Sequence, residues 1–198
     1  MRATVADQFR AAAALLHKPS CLELGARRAG ATSTLHKAWV PHHGEWLGAD
    51  IQEGVDVDLV VDVHRLADVC GDERFDIVFT DAGLEHFKYP FLAAHQMLRA
   101  LKVGGLLYVR THQSYPLHAV PYDFFRFSED ALRTLFSDAM GMASVTEYEY
   151  PASIVAEGFE YAAKQPAYLC VTYFGVKKHE TPADFVYELA PSAQWPSR

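Results

Sequence analysis

Four carboxylates stand where apolar runs end: Glu23, Asp50, Asp62 and Asp81, spaced 27, 12 and 19 residues apart. An acid at the end of a strand is, alone, most often a cap for the next turn. Four at such intervals are the pattern of one shared cleft. Asp50 is the most informative, because it closes its run 25 residues after Gly25. A carboxylate there can accept both hydroxyls of a ribose, as in dinucleotide folds. The loop in between, "GARRAGATS", begins with Gly25 but continues with Arg27 and Ala29 where a nucleotide loop would place further glycines.

A second set consists of bases. His86 follows the fourth apolar run, and His112 and His118 follow the fifth. An imidazole there can take a proton from a reacting group or simply organise a turn. With Asp123 these histidines also offer donors for a transition metal. No compact ligand motif such as HExxH is present, and the reading taken is that no metal is bound. The stretch "YPLHAVPYDFFRF" (residues 115–127) concentrates aromatics. Tyr115, Tyr122 and Phe125 suit an apolar acceptor wall. Asp123 and Arg126 either orient polar groups of an acceptor or pair with each other to lock the loop. The remaining histidines read as structural or solvated, His64 as pocket wall or surface.

These residues need a scaffold that brings strand ends together. Strand patterns occur at residues 20–24, 45–50, 57–63, 74–81 and 106–112, and in "MASVTEYEY" and "AYLCVTYFGV". Helical patterns lie between them: "ATSTLHKAWV", residues 89–102 with "VGG" as terminator, and "SEDALRTLF" with Ser128 as N-cap. The alternation predicts an α/β, Rossmann-like, doubly wound sheet of seven strands, mostly parallel, with one antiparallel edge strand. Such sheets bind ligands beyond the carboxyl ends of their strands.

Composition limits the alternatives. The chain has 198 residues, half of them hydrophobic and 13% aromatic, enough for a sizeable core. It reads as one domain over residues 1–198, with an N-terminal helix at 1–18, an acceptor-side loop at 113–127 and a tail at 180–198. The net charge is −7 and the 18 basic residues are dispersed, so no nucleic-acid partner is expected. No apolar run approaches the roughly 20 residues of a membrane span. Asp7 and Arg10 interrupt the N-terminal apolar run, which argues against a signal peptide. Three widely spaced cysteines without a CxxC pair read as buried reduced thiols of a cytoplasmic protein. The tail packs on the body or on a second copy, giving a monomer or homodimer.

The segments "LELGAR", "WLGADIQEGVDVDLVVDVHRL" and "FDIVFTDAGLEHFKYPFLAAHQMLRALKVGGLLYVRTH" resemble class I S-adenosylmethionine-dependent methyltransferases, in particular the small methyltransferase type 11 group. The resemblance runs from about Cys21 to Phe136 and is strongest from Phe75 to Gly105. It implies S-adenosyl-L-methionine as cofactor and a small-molecule acceptor. It also implies roles. Glu23 and Gly25 form the first cofactor motif; Arg27 departs from its usual glycine and either pairs with the cofactor carboxylate or is solvated. Asp50, with Ile51 beside it, holds the ribose. Asp62 and Val63 face the adenine, and Asp81 and Ala82 line the floor near the methyl group. His86, His112 and His118 are then the candidate bases. Two rivals stand beside this reading. One is a catalytically silent cofactor-binding or scaffold relative. The other is a Rossmann-like NAD enzyme, which the absence of G-x-G-x-x-G disfavours.

Overall fold

The computed structural model describes residues 3–28, 30, 35–153 and 166–186. Strand β1 (Ser20–Leu24) lies at the centre of the sheet, between β2 (Glu45–Asp50) and β4 (Phe75–Asp81), and pairs in parallel with both. Strand β3 (Leu59–Val60) extends one side; β5 (Leu101–His112), β7 (Pro166–Lys177) and β6 (Met142–Ser153) extend the other. The order is β3-β2-β1-β4-β5-β7-β6, a seven-stranded sheet. β7 runs antiparallel to β5 and to β6. The one antiparallel strand therefore sits at the predicted end of the sheet, but one place in from the edge. β6, reversed twice, ends parallel to β5.

Period-two alternation sends the strands' side chains into two cores. Leu22, Val78 and Leu107 pack against α2 (Leu66–Cys70), α3 (Pro90–Ala100) and α4 (Glu129–Leu135). Cys21, Phe79 and Tyr108 pack against α1 (Val5–Ala13) through Phe9, which is fully buried. Local chemistry sets the helix starts. Thr4 and Asp7 form a capping box on α1. Pro90 opens α3, where its missing N–H costs nothing. The Ser128 hydroxyl caps α4 by accepting from the Ala131 N–H.

Several boundaries differ from the sequence reading. The N-terminal helix occupies only Val5–Ala13 of 1–18. The helix expected in residues 31–40 is not seen where that segment is described: residues 35–40 hold only a 3-10 turn at Lys37–Trp39, and 31–34 lie outside the described residues. The third strand shrinks to two residues, because its backbone turns at Asp62, which caps a 3-10 turn. The "VGG" segment does not end the helix. α3 stops at Ala100, and Val103 to Gly105 are taken into β5 as an irregularity, with Gly104 at φ +83. The bulge is visible in the register, where Phe75 faces Leu101 but Ile77 faces Leu106. Of the cysteines, Cys21 is buried as expected, whereas Cys70 and Cys170 are only half-buried. Phe185 of the tail packs edge-on against Phe91, at 5.2 Å between centroids; residues 187–198 lie outside the described residues. No helix among the described residues is long and apolar enough to cross a membrane.

Candidate functional site

A cavity of about 410 Å³ opens beyond the carboxyl ends of β1, β2 and β4. Its wall starts where β1 stops. Gly25 has φ +76, a conformation that strains any residue with a Cβ. This allows the N–H groups of Gly25 and Ala26 both to donate to the Ala49 carbonyl, at 2.9 and 3.1 Å. The loop is thereby laid over the end of β2, where Asp50 stands. The Arg27 N–H donates to Asp50 Oδ2 at 3.2 Å and the Gln52 N–H to Oδ1 at 2.9 Å. Each oxygen accepts one bond and keeps capacity for another, at the cavity wall. Ile51 adds apolar surface beside it. Arg27 also lines the cavity, whereas Arg28 is taken up by Asp56 through two bonds of 2.8 and 2.9 Å.

Asp62, Val63 and His64 form the next part of the wall. His64 Nε2 accepts the Tyr89 N–H at 3.1 Å, so its proton sits on Nδ1, which donates to Asp62 Oδ1 at 2.5 Å. Burial pushes the Asp62 carboxyl up, but the bonds from His64 outweigh it and hold the group below its ordinary range. Beyond β4, Ala82 adopts φ +52 and Gly83 follows, both in the wall. A Cβ on Gly83 would lie 2.6 Å from Thr80 Oγ1, so the chain passes there only as glycine. A non-glycine residue in left-handed backbone beside a cavity is the strain that functional sites retain.

The loop following β5 closes the cavity from the other side, contributing Ala119 and Tyr122 opposite His86 and Phe87. It is tied to the short 3-10 turn Leu84–His86. The Glu85 carbonyl accepts the N–H groups of Phe124 and Phe125, at 3.0 and 3.2 Å. Asp123 and Arg126, offered above either as acceptor contacts or as a lock, form the lock. Arg126 donates to Asp123 at 2.5 and 2.7 Å and to the carbonyls of Tyr115, Pro116 and Phe125. The guanidinium holds the Asp123 carboxyl far below the usual range. The acceptor-orienting role proposed for this pair is thus not what the geometry provides. Phe125 packs near Phe127 and does not line the cavity.

His86, His112 and His118 come together around Glu85, a residue to which the sequence reading gives no role of its own. Glu85 is fully buried; its Oε1 lies 2.8 Å from His112 Nδ1, 3.9 Å from His86 Nε2 and 4.0 Å from His118 Nε2. The Thr111 hydroxyl donates to Oε2 at 2.7 Å. Burial opposes ionisation, but His112 and Thr111 outweigh it and keep the carboxyl below its ordinary range. His86 donates from Nδ1 to the Tyr122 carbonyl at 2.7 Å, which leaves Nε2 as its acceptor nitrogen. Tyr115 stacks on His112, at 4.1 Å and 10°. The signal that could have found Glu85 is strand adjacency. Because Asp81 pairs with Arg110, the turn after β4 must meet Thr111 and His112.

Glu23 and Asp81 do not line the cavity. They face the α1 side of the sheet, where His36 bridges them. His36 Nδ1 lies 2.7 Å from Glu23 Oε1 and Nε2 lies 3.2 Å from Asp81 Oδ2, with the ring stacked on Phe79. Trp46 Nε1 also donates to Glu23, and Arg110 donates twice to Asp81, at 2.7 and 2.6 Å. Alternation accounts for this. Glu23 and Asp81 share the face of Cys21 and Phe79, whereas the cavity is built by the turns beyond the strands.

Residues 29–109 match a family model described as a methyltransferase domain. No curated protein matches significantly. Among solved structures, the chain is similar to a SAM-dependent methyltransferase from Archaeoglobus fulgidus, with TM-score 0.62, 13% identity, and 87% of this chain and 93% of the other covered. It is also similar to the 1,6-didemethyltoxoflavin-N1-methyltransferase of Burkholderia thailandensis, solved with 1,6-didemethyltoxoflavin and S-adenosylhomocysteine bound. There the TM-score is 0.56 at 17% identity, covering 86% and 78% of the two chains. A third is an S-adenosylmethionine-dependent methyltransferase from Mesorhizobium loti, at TM-score 0.55 and 13% identity, covering 85% and 95%.

Proposed function

Proceeding from a methyltransferase domain at residues 29–109 on a class I methyltransferase fold, we propose that this chain transfers a methyl group from S-adenosyl-L-methionine to a small-molecule oxygen, nitrogen or carbon acceptor. The observation that carries the reading is Asp50. Its carboxylate is oriented by two backbone N–H groups at the wall of a 410 Å³ cavity, with acceptor capacity spare for a pair of ribose hydroxyls. Ile51, Asp62 and Val63 then take the adenine side, Gly25 and Arg27 the methionine side, and Ala82 the floor.

The acceptor enters between His86 and the loop carrying Tyr115 and Tyr122. S-adenosyl-L-methionine held there would supply an electrophilic methyl group to the acceptor's nucleophilic atom, with the bonding pair of the S–C bond left on sulfur. Alignment supplies most of the acceleration. Where the acceptor carries a proton, His86 Nε2 takes it; commitment of Nδ1 to the Tyr122 carbonyl, which leaves Nε2 as the acceptor nitrogen, supports this role. His112 and His118 stand behind His86, with His118 4.9 Å from it ring to ring. The same reading has the protein acting in the cytoplasm as a monomer or homodimer, without nucleic acid; the net charge of −7 supports the last point.

A cofactor-binding protein without transfer activity is the second reading. It is favoured by His36, which occupies both Glu23 and Asp81. Titration with S-adenosylmethionine and with NAD tests the cofactor class: binding of the first alone supports the proposal, and binding of NAD alone sinks it. A methyl-transfer assay over a panel of small acceptors then separates an active from a silent protein.

A further inference from the structure

Three side chains on the acceptor side of the cavity converge on one point. One ligand atom each from Glu85, His112 and His118 lies within 4.8 Å of the other two. The Glu85 side chain is fully buried and that of His112 is 9% exposed. Their 2.8 Å approach is an ion-pair distance, yet neither Glu85 Oε1 nor His112 Nδ1 makes a well-directed hydrogen bond among the described residues. A buried carboxylate and imidazole held this close without a directed hydrogen bond are better satisfied by a third species that bonds both. An ion bonded at about 2.0–2.2 Å would space tetrahedral ligands about 3.3–3.6 Å apart. The observed 2.8 Å to His112 and 4.0 Å to His118 bracket that spacing.

The surroundings aim these atoms. Thr111 occupies Glu85 Oε2 and leaves Oε1 to the cluster. His118 Nδ1 lies 3.1 Å from the Pro116 carbonyl, which can only accept, and 3.3 Å from Asp123. The proton is therefore on Nδ1, and the lone pair of Nε2 faces Glu85. Carbonyl and carboxylate partners behind a histidine are how ligating imidazoles are oriented. Asp123 belongs to this outer layer, because Arg126 holds both its oxygens.

We propose that Glu85 Oε1, His112 Nδ1 and His118 Nε2 bind one divalent transition ion of the zinc class. Two imidazoles and a carboxylate are a donor set that zinc takes with one position left open. His86 borders the site with Nε2 3.9 Å from Glu85 Oε1 and also lines the cavity, so the open position lies beside the acceptor path. An oxygen or nitrogen donor of the acceptor is the ligand class for it. That last step rests on the methyl-transfer reading; binding of the ion does not.

The test is calorimetric titration of the chelator-stripped protein with Zn²⁺, with Co²⁺ absorption as a spectroscopic check. The expected result is about one equivalent bound, a Co²⁺ visible spectrum of low coordination number, and affinity at least about 100-fold lower in His118→Gln, beyond what loss of an outer-layer partner costs. His118 is partly exposed, so this variant should fold, and S-adenosylhomocysteine titration of the same sample reports the cofactor site separately. No zinc binding by the unmodified protein, or equal binding by His118→Gln, overturns the metal site. Loss of S-adenosylhomocysteine binding with zinc retained would count against the cofactor reading alone.

Discussion

His36 Nδ1 lies 2.7 Å from Glu23 Oε1, and the His36 backbone N–H donates to the other oxygen of the same carboxylate at 3.0 Å. His36 thus fastens the segment after β1 to the α1 face of the sheet. Burial pushes the imidazole toward neutrality, but its bonds to Asp81 and Glu23 outweigh this and raise its pKa to about 9. A pKa raised above the ordinary value near 6.5 stabilises fully below that value. The contribution disappears as pH rises through about 9. His36→Gln should therefore lower the melting temperature strongly at pH 6 and progressively less toward pH 10. A difference independent of pH over that range would contradict the imidazolium bridge.

Phe9 fastens the other face. It is fully buried and meets Phe79, Tyr108 and Phe174 at 5.1 to 5.8 Å between centroids. Phe9→Ala leaves a cavity that costs about 3–5 kcal/mol. Chemical denaturation should show a loss of that size; a loss under about 1 kcal/mol would mean that α1 does not hold this core.

Thr111→Val removes the donor to Glu85 Oε2 while keeping the shape of the side chain. A hydrogen bond to a buried charge contributes about 1.5–3 kcal/mol. The melting temperature should fall by about 2–4 °C for each kcal/mol at this chain length. An unchanged melting temperature would show that Glu85 is neutral or otherwise satisfied.

Arg126→Ala should loosen the loop over residues 113–127. The guanidinium ties Asp123 to three loop carbonyls at once. Limited proteolysis should cut this loop faster in the variant and spare the sheet, and S-adenosylhomocysteine affinity should fall less than in a variant of Asp50. Equal protease resistance would leave Arg126 without the locking role.

The scaffold was largely legible because short apolar runs alternate with helical patterns, and the run from Phe75 has the continuous apolar centre of a strand covered on both faces. Asp50, Asp62 and Ala82 were legible for the same reason: they follow strand ends, and strand ends meet at the cleft. Glu23 and Asp81 misled, because strand alternation puts both on the α1 face of the sheet, where His36, from a segment without a strong pattern, bridges them. Glu85 was missed because its importance arises from contact with Thr111 and His112, which belong to the next strand in the sheet. Asp123 and Arg126 are chemically suited to both roles considered, and only their mutual distance chooses between them.

The central claim is most directly tested by calorimetric titration of S-adenosylhomocysteine into the unmodified protein and into Asp50→Ala. Charge-assisted bonds to ribose hydroxyls contribute about 1.5–3 kcal/mol each. The account predicts binding near one equivalent by the unmodified protein and affinity at least about tenfold weaker in the variant, with an unchanged circular dichroism spectrum. No binding by the unmodified protein, or the same affinity in both, would contradict it.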